Sequence, residues 1–202
     1  MLRIGLIGGL GWPSTELYHR LLNEDVQSRL GGSHSARLVI WSEDFEHITA
    51  LQRAGRWDDA GVIMAEGARA LERAGADLVA ITANTMHLCA PAAAAAISVP
   101  LVNMIEVVAR AASGAGLTRL GLLGTGYTMT SSLYPDVCGP LGIEVLTPDE
   151  ADRATVHAMI YDELTHGRVT ATARHDIRDA ADRLVEGGRR AWCSAAASSR
   201  WC

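Results

Sequence analysis

Two short apolar runs, each stopped by glycine and followed by a helical stretch, constrain this chain more than any other feature. Leu2 to Ile7 ends at Gly8-Gly9 and leads through Pro13-Ser14 into a helix over Ser14 to Arg29. Leu120 to Leu123 ends at Gly124-Thr125-Gly126 and leads into a helix expected over Ser131 to Cys138. A glycine-bounded apolar run of this length suits a central strand of a parallel sheet, buried on both faces.

The segments between and after them keep the same alternation. Strands are expected at Arg37 to Trp41, Asp77 to Ile81, Val99 to Val102 and Ile143 to Leu146. Helices are expected at Asp58 to Ala74, 86–96, Ile105 to Ala112, Glu150 to Leu164 and Thr170 to Glu186. Core-facing stripes at helical spacing are Leu17, Leu21 and Val26, then Val62, Met64, Ala68 and Leu71, and last Ala173, Ile177, Ala180 and Leu184. Strands alternating with helices imply an α/β fold with parallel sheets. Because the strand, glycine turn and helix recur, the chain reads as two similar halves meeting near residues 103–117, with one elongated sheet as the alternative.

The formal net charge of −5, with no Lys/Arg-rich run, argues against nucleic acid as a partner, since a phosphate-binding surface needs clustered positive charge. No apolar stretch approaches the roughly 18 residues of a membrane span, so no membrane is expected either. The apolar N-terminus suits a strand better than a signal peptide, which places the protein in the cytoplasm. Cys89, Cys138, Cys193 and Cys202 form no CxxC pair, and the seven histidines form no HxxxH pair, so no metal site is expected.

In open parallel α/β sheets, ligands sit beyond the C-terminal strand ends. Three loops fall there: Gly8 to Ser14, Thr82 to His87 and Gly124 to Met129. The first combines glycines with a helix N-terminus that favours an anion. The second carries small polar side chains. The third, GTGYTM, offers the Thr125 and Thr128 hydroxyls, the Tyr127 phenol and backbone amides. Together they suit a small anionic or zwitterionic molecule, although each could be only the turn the fold requires. A dinucleotide reading of Gly9 to Ser14 is weak. Pro13 interrupts the GxGxxG-like pattern, and Glu43 and Asp44 come late for the ribose-binding acid.

GLIGGLGWPSTELYHRLLNEDVQSRLGGSHSA, SEDF at 42–45, LQRAGRWDDAG at 51–61, ANTMH at 83–87 and LLGTGYTM at 122–129 resemble the aspartate/glutamate racemases, nearest to their broad-specificity amino-acid branch. The likeness spans roughly residues 1 to 188. It implies two α/β domains related by pseudo-twofold symmetry, an active site between them and frequent homodimers. The domains are expected at 1–109 and 110–202. It also implies racemisation of a small amino-acid substrate with no cofactor, through two opposed groups that exchange the Cα proton. Carried over by position, the amides of Leu10, Gly11 and Trp12 hold the substrate carboxylate. Gln52, Asn84 and Thr85 reach the same ligand.

The first acid/base position falls at Ala83, where relatives carry Cys or Thr, and a methyl group cannot move a proton. Thr82 is the neighbouring substitute, with strand-end packing as its plainer role. Cys89 and Cys138 read as small buried hydrophobes. The alternative to a racemase is a catalytically dead binder of a small amino or carboxylic acid. Another activity of the superfamily, such as decarboxylation or isomerisation of a related acid, is a third reading.

After the last helix the resemblance implies a strand and turn reading like GVVLGCSEL, which would carry the second thiol. The chain reads GGRRAWCSAAASSRWC instead, with no evident strand or helix pattern. Reading AWCSAAASSRWC as GC-rich codons one base earlier permits GVVLGCSELALV, and Trp192-Cys193 forces a valine in that frame. A single-base frameshift near codons 188–190, a mutation or a sequencing error, is therefore expected to have replaced the catalytic strand and truncated the C-terminal domain. On this reading Cys193 is not the missing thiol.

Overall fold

The computed structural model describes residues 1–186 and 192–194. The chain separates into two units, Met1–Asn103 and Met104–Cys202. Apart from the backbone at 192–194, the segment expected to be frame-shifted lies outside the described residues.

In the first unit, strands β1 (Arg3–Gly8), β2 (Arg37–Ser42), β3 (Leu78–Ile81) and β4 (Leu101–Val102) form one parallel sheet in the order β2-β1-β3-β4. Helix α1 (Trp12–Leu30) connects β1 to β2, α2 (Phe45–Arg53) and α3 (Trp57–Arg73) connect β2 to β3, and α4 (Ala90–Ala95) precedes β4. The core gathers Ile7, Ile48, Met64, Leu71, Val79, Ile81 and Met86, all buried. A fully buried aliphatic side chain of this kind contributes about 1.5–3 kcal/mol.

Local chemistry explains where the elements differ from expectation. Helix α1 starts at Trp12, ahead of Pro13, because a proline in the first turn sacrifices no intrahelical hydrogen bond. Helix α2 is an element the apolar pattern alone misses. Its start is fixed by Asp44, whose side chain accepts from the Glu46 N–H. The helix expected over 86–96 is divided into a 3-10 turn, Thr85–Cys89, and α4. Pro91, lacking an N–H, is accommodated in the first turn of a new helix rather than inside a continuous one.

Two expected core positions are corrected. Val62 is 62% exposed and Leu21 49% exposed. Helix α1 buries only Thr15 and so presents no broad apolar stripe. In α3 the buried face runs through Ala60, Met64, Ala68 and Leu71, which leaves Val62 on the outside.

The second unit opens with α5 (Met104–Gly114), whose buried Ile105, Ala109 and Ala112 pack with Leu120, Leu122, Tyr134 and Ile143. Strands β5 (Arg119–Leu123), β6 (Glu144–Leu146) and β7 (Trp192–Ser194) form a parallel sheet in the order β6-β5-β7. Helices α6 (Gly126–Thr130) and α7 (Leu133–Cys138) follow β5, and α8 (Glu150–Asp162) and α9 (Ala171–Glu186) follow β6. Ile177, Ala180 and Leu184 of α9 are buried with Leu123, Val156 and Ile160.

The strand β7 corrects the expectation that the C-terminal segment lacks a strand pattern. Gly121, Leu122 and Leu123 pair in parallel with Trp192, Cys193 and Ser194. The polar and aromatic composition hides it, since nothing in WCS resembles a buried aliphatic strand. Each unit thus has a central strand, β1 or β5, flanked by the second and third strands of its own half.

Candidate active site

In unit 1 the loops after β1 and β3 are neighbours because their strands pair in register, Ile7 with Ile81. Gly9 and Gly11 both have positive φ, 76° and 89°. At Gly9 a side chain is also excluded sterically, since a Cβ there would lie 2.2 Å from the Glu43 carbonyl oxygen. The Gly11 amide donates to the Gly9 carbonyl at 2.9 Å, closing a γ-turn around Leu10. Gly11, expected to hold a carboxylate through its amide, therefore has that donor engaged within the loop. Among the described residues, the Leu10 and Trp12 amides donate to no other group. Leu10 is buried in the core, whereas Trp12 is 56% exposed.

A chain of hydrogen bonds ties this turn to β3. The Gly9 N–H donates to Thr15 Oγ1 at 3.0 Å, and Thr15 Oγ1 and Thr82 Oγ1 are 3.1 Å apart. The Thr82 hydroxyl donates to the Ile7 carbonyl, also at 3.1 Å. Thr82 has one hydroxyl proton and gives it to Ile7, so the Thr15 hydroxyl must be the donor to Thr82. Ser14 Oγ donates to the Thr82 carbonyl. Thr82 is fully buried and its hydroxyl is engaged on both sides. It therefore does not stand in for Ala83 as an acid/base group, and its place in the fold is to clamp the two loops.

The half-buried Ala83 follows, packed against the unit 1 core. Its carbonyl accepts from His87 Nδ1 at 2.9 Å, which holds the backbone of the 83–87 turn. Burial lowers the His87 pKa from its ordinary value and keeps the ring neutral, with its Nδ1 proton on the donor side of that bond. Asn84 and Thr85 are buried beside it. Gln52, near the end of α2, is also buried, and its Nε2 donates to Met86 Sδ at 3.2 Å. Unit 1 thus brings together Leu10, Gly11, Trp12, Gln52, Thr82, Ala83, Asn84 and Thr85. Cys89 stands apart, buried with its thiol pKa pushed up to about 11 by burial and then by Asp58. It is a protonated, apolar-like side chain at neutral pH.

In unit 2 the loop after β5 is equally well knit. Thr125 caps α6, its Oγ1 accepting from the Thr128 N–H at 3.2 Å and lying 3.2 Å from Thr128 Oγ1. Thr128 is fully buried and Tyr127 half-buried. The two hydroxyls expected to face a ligand thus shape the turn. The Gly126 N–H donates to His157 Nδ1 at 2.9 Å. The neutral ring therefore carries its proton on Nε2, and burial lowers its pKa, against a raising effect from Asp162. The Tyr127 and Tyr161 rings lie against the same imidazole, 5.7 and 4.8 Å away.

His157, which holds the loop after β5 through the Gly126 amide, is a residue that motif reading misses. The signal lies in comparing the halves. Gln52 comes eight residues after Asp44, the cap of α2, and His157 eight after Asp149, the cap of α8. Each is on the helix that follows the second strand of its unit.

Residues 7–192 match the sequence profile of the Asp/Glu/Hydantoin racemase family. A Yersinia pestis protein assigned as an Asp/Glu racemase superposes with a TM-score of 0.86 at 37% identity, covering 96% of this chain and 85% of that one. An aspartate racemase homologue from Pyrococcus horikoshii gives a TM-score of 0.80 at 29% identity, covering 98% and 86%. A broad-specificity amino-acid racemase of Bacillus subtilis is 26% identical over 154 residues, 75% of this chain and 66% of that protein. The match therefore spans just under two thirds of that relative's length.

Proposed function

The chain belongs to the Asp/Glu/Hydantoin racemase family, and from that premise we propose that it is an amino-acid racemase. It exchanges the Cα proton of a small amino acid and needs no cofactor. It works in the cytoplasm as a homodimer. The two buried free thiols, Cys89 and Cys138, suit a reducing compartment. Among the described residues no helix is long and apolar enough to cross a membrane.

The observation carrying this reading is the clamp that sets the Gly9–Trp12 turn beside the Ala83–Thr85 loop. The Leu10 and Trp12 amides receive the substrate carboxylate, where charge-assisted hydrogen bonds are strongest. Gln52, Asn84 and Thr85 orient the amino acid. In unit 2, Thr125 and Thr128 hold the turn after β5, with Tyr127 between them in sequence. Donors fixed in advance stabilise the charge that develops as Cα loses its proton.

Ala83 stands at the first acid/base position, and its methyl cannot exchange a proton. A matching offset in the sequence supports a second position. In unit 1, residue 83 lies two residues beyond Ile81, the partner of Ile7. In unit 2, two residues beyond Ser194, the partner of Leu123, the sequence reads Ala196. The alternate-frame segment GVVLGCSELALV places its cysteine codon at that position.

The test restores both groups. A chain with Ala83→Cys and the alternate-frame segment in place of 191–202 is incubated with L- and D-amino acids, and inversion is followed by chiral chromatography. Inversion of at least one amino acid is expected. Binding without inversion by the restored chain would overturn the racemase reading. Ala83 itself favours a second reading, a carboxylate-binding protein without proton transfer, and that outcome would select it.

A further inference from the structure

We propose that His157 is a positioning residue for the racemase reaction, a latch that fixes the loop after β5 only while its imidazole is uncharged. The positioning role rests on the functional reading above, whereas the latch itself lies wholly within unit 2. It is made through one lone pair, since the Gly126 N–H donates to His157 Nδ1 at 2.9 Å. The two groups sit directly against each other, because a Cβ on Gly126 would lie 3.3 Å from the same nitrogen. An imidazolium carries a proton on both nitrogens and accepts no hydrogen bond. Protonation therefore sets N–H against N–H, and the tether is lost.

The turn beyond the tether is knit so that it holds together without it. The Thr128 N–H donates to Thr125 Oγ1, the Met129 N–H to the Thr125 carbonyl at 2.9 Å, and the Thr130 hydroxyl to the Gly126 carbonyl at 2.8 Å. None of these bonds involves the ring. Met129 is buried with Val156 and Ile160 of α8, so apolar contact keeps α6 in place when the polar tether goes. What is released is the Gly126 end of the turn, with Thr125 and Tyr127 on either side of it.

The surroundings of the ring set the direction of the switch. Helix α6 lays Tyr127 edge-on against it, 5.7 Å between centroids, and has no charged side chain. Helix α8 contributes Tyr161, 4.8 Å away, and Asp162, whose carboxylate favours the charged ring. Burial disfavours the charged ring and is the larger effect, so the pKa is lowered from its ordinary 6.5. The latch is therefore closed at neutral pH and opens as the pH falls below the ordinary histidine range. A histidine that merely filled the space between two tyrosines would have no need to aim its lone pair at an amide.

Amide hydrogen exchange of the full chain, read by NMR as protection at Gly126, tests the latch without any substrate. Between pH 8 and pH 5 that protection is expected to fall about tenfold, the worth of one hydrogen bond, while the amides of β5 keep theirs. His157→Asn, whose Oδ1 replaces Nδ1 and does not titrate, is expected to stay protected throughout. His157→Leu, which fills the space without an acceptor, is expected to lose the protection at both pH values. A role in packing alone gives the reverse order, with leucine protected and asparagine not. The same three side chains are then compared in the chain carrying Ala83→Cys and the alternate-frame segment. There His157→Leu is expected to lower kcat/KM for inversion about tenfold, mainly through KM, and His157→Asn to make its fall in acid shallower. Gly126 protection indifferent to both pH and leucine would overturn the latch. A latch that responds while inversion ignores all three side chains would overturn the positioning role. A restored chain that inverts no amino acid would overturn the racemase reading and the positioning role with it, and the exchange result alone would then decide the latch.

Discussion

Replacing Thr82 by valine separates a clamp from a catalyst. The substitution keeps the shape and removes the hydroxyl that donates to Ile7 and accepts from Thr15. The Ile7 carbonyl is not orphaned, because the Thr82 N–H still donates to it at 2.9 Å. The Thr15 hydroxyl proton, however, loses its acceptor in a site where both residues are buried. An unsatisfied buried donor costs about 1–3 kcal/mol, and the added apolar methyl offsets part of it. A net loss of about 1.5 kcal/mol is expected, or about 3–6 °C in Tm for a chain of this size. Thr15→Val should cost more, because it also strands the Gly9 N–H. The double variant should be less destabilised than the sum, with a coupling of about 0.5–1.5 kcal/mol. Urea denaturation of all four chains measures the cycle. Unchanged stability in Thr82→Val together with zero coupling would refute the clamp.

Other consequences follow from the same geometry. Gly9→Ala must place a Cβ against the Glu43 backbone at positive φ, so a loss above about 3 kcal/mol is expected by denaturation. Cys89, with its thiol pKa near 11, should resist thiol reagents at pH 8 in the native chain and react once it is unfolded. His157 has a lowered pKa, so the folded state binds fewer protons at this site than the unfolded state. Its contribution is complete above the ordinary histidine value and is lost as pH falls below it. Urea midpoints between pH 8 and pH 5 should therefore decline. His157→Asn, whose amide oxygen can accept from Gly126 without titrating, should flatten part of that decline. Sequencing the gene from codon 180 onward should reveal a GC[ST]E-type segment one base out of frame, and its absence would end the frameshift account.

The alternation of strands and helices was legible because parallel strands are plain apolar runs, as in Leu2 to Ile7 and Leu120 to Leu123. Helix α2 was hidden because its start depends on a side-chain cap at Asp44 rather than on apolar spacing. Strand β7 was hidden because Trp192–Ser194 is held by backbone pairing with β5 in a sequence without aliphatic character. The three loops lie after β1, β3 and β5, as their sequence pattern implies, but which donors are engaged was invisible. The Gly11 amide turns inward to Gly9, Thr82 faces Thr15 and Ile7, and Gly126 is capped by a histidine thirty-one residues away. Those are outcomes of tertiary placement, and no local pattern encodes them. The exposed Val62 shows the converse limit, since helical spacing identifies a stripe but not which side of the helix the core takes.

The central claim is that residue 83 occupies the acid/base position of an amino-acid racemase site. Deuterium incorporation at Cα, followed by proton NMR in heavy water with separate L- and D-amino acids, tests it most directly on wild type and Ala83→Cys. A thiol installed there, without the second group, should exchange the Cα proton of one enantiomer and not invert it. The gain over wild type should be about 100-fold or more, as general acid–base groups typically contribute. If Ala83→Cys binds the amino acid and labels neither enantiomer above the wild-type level, residue 83 does not face Cα and the account is wrong.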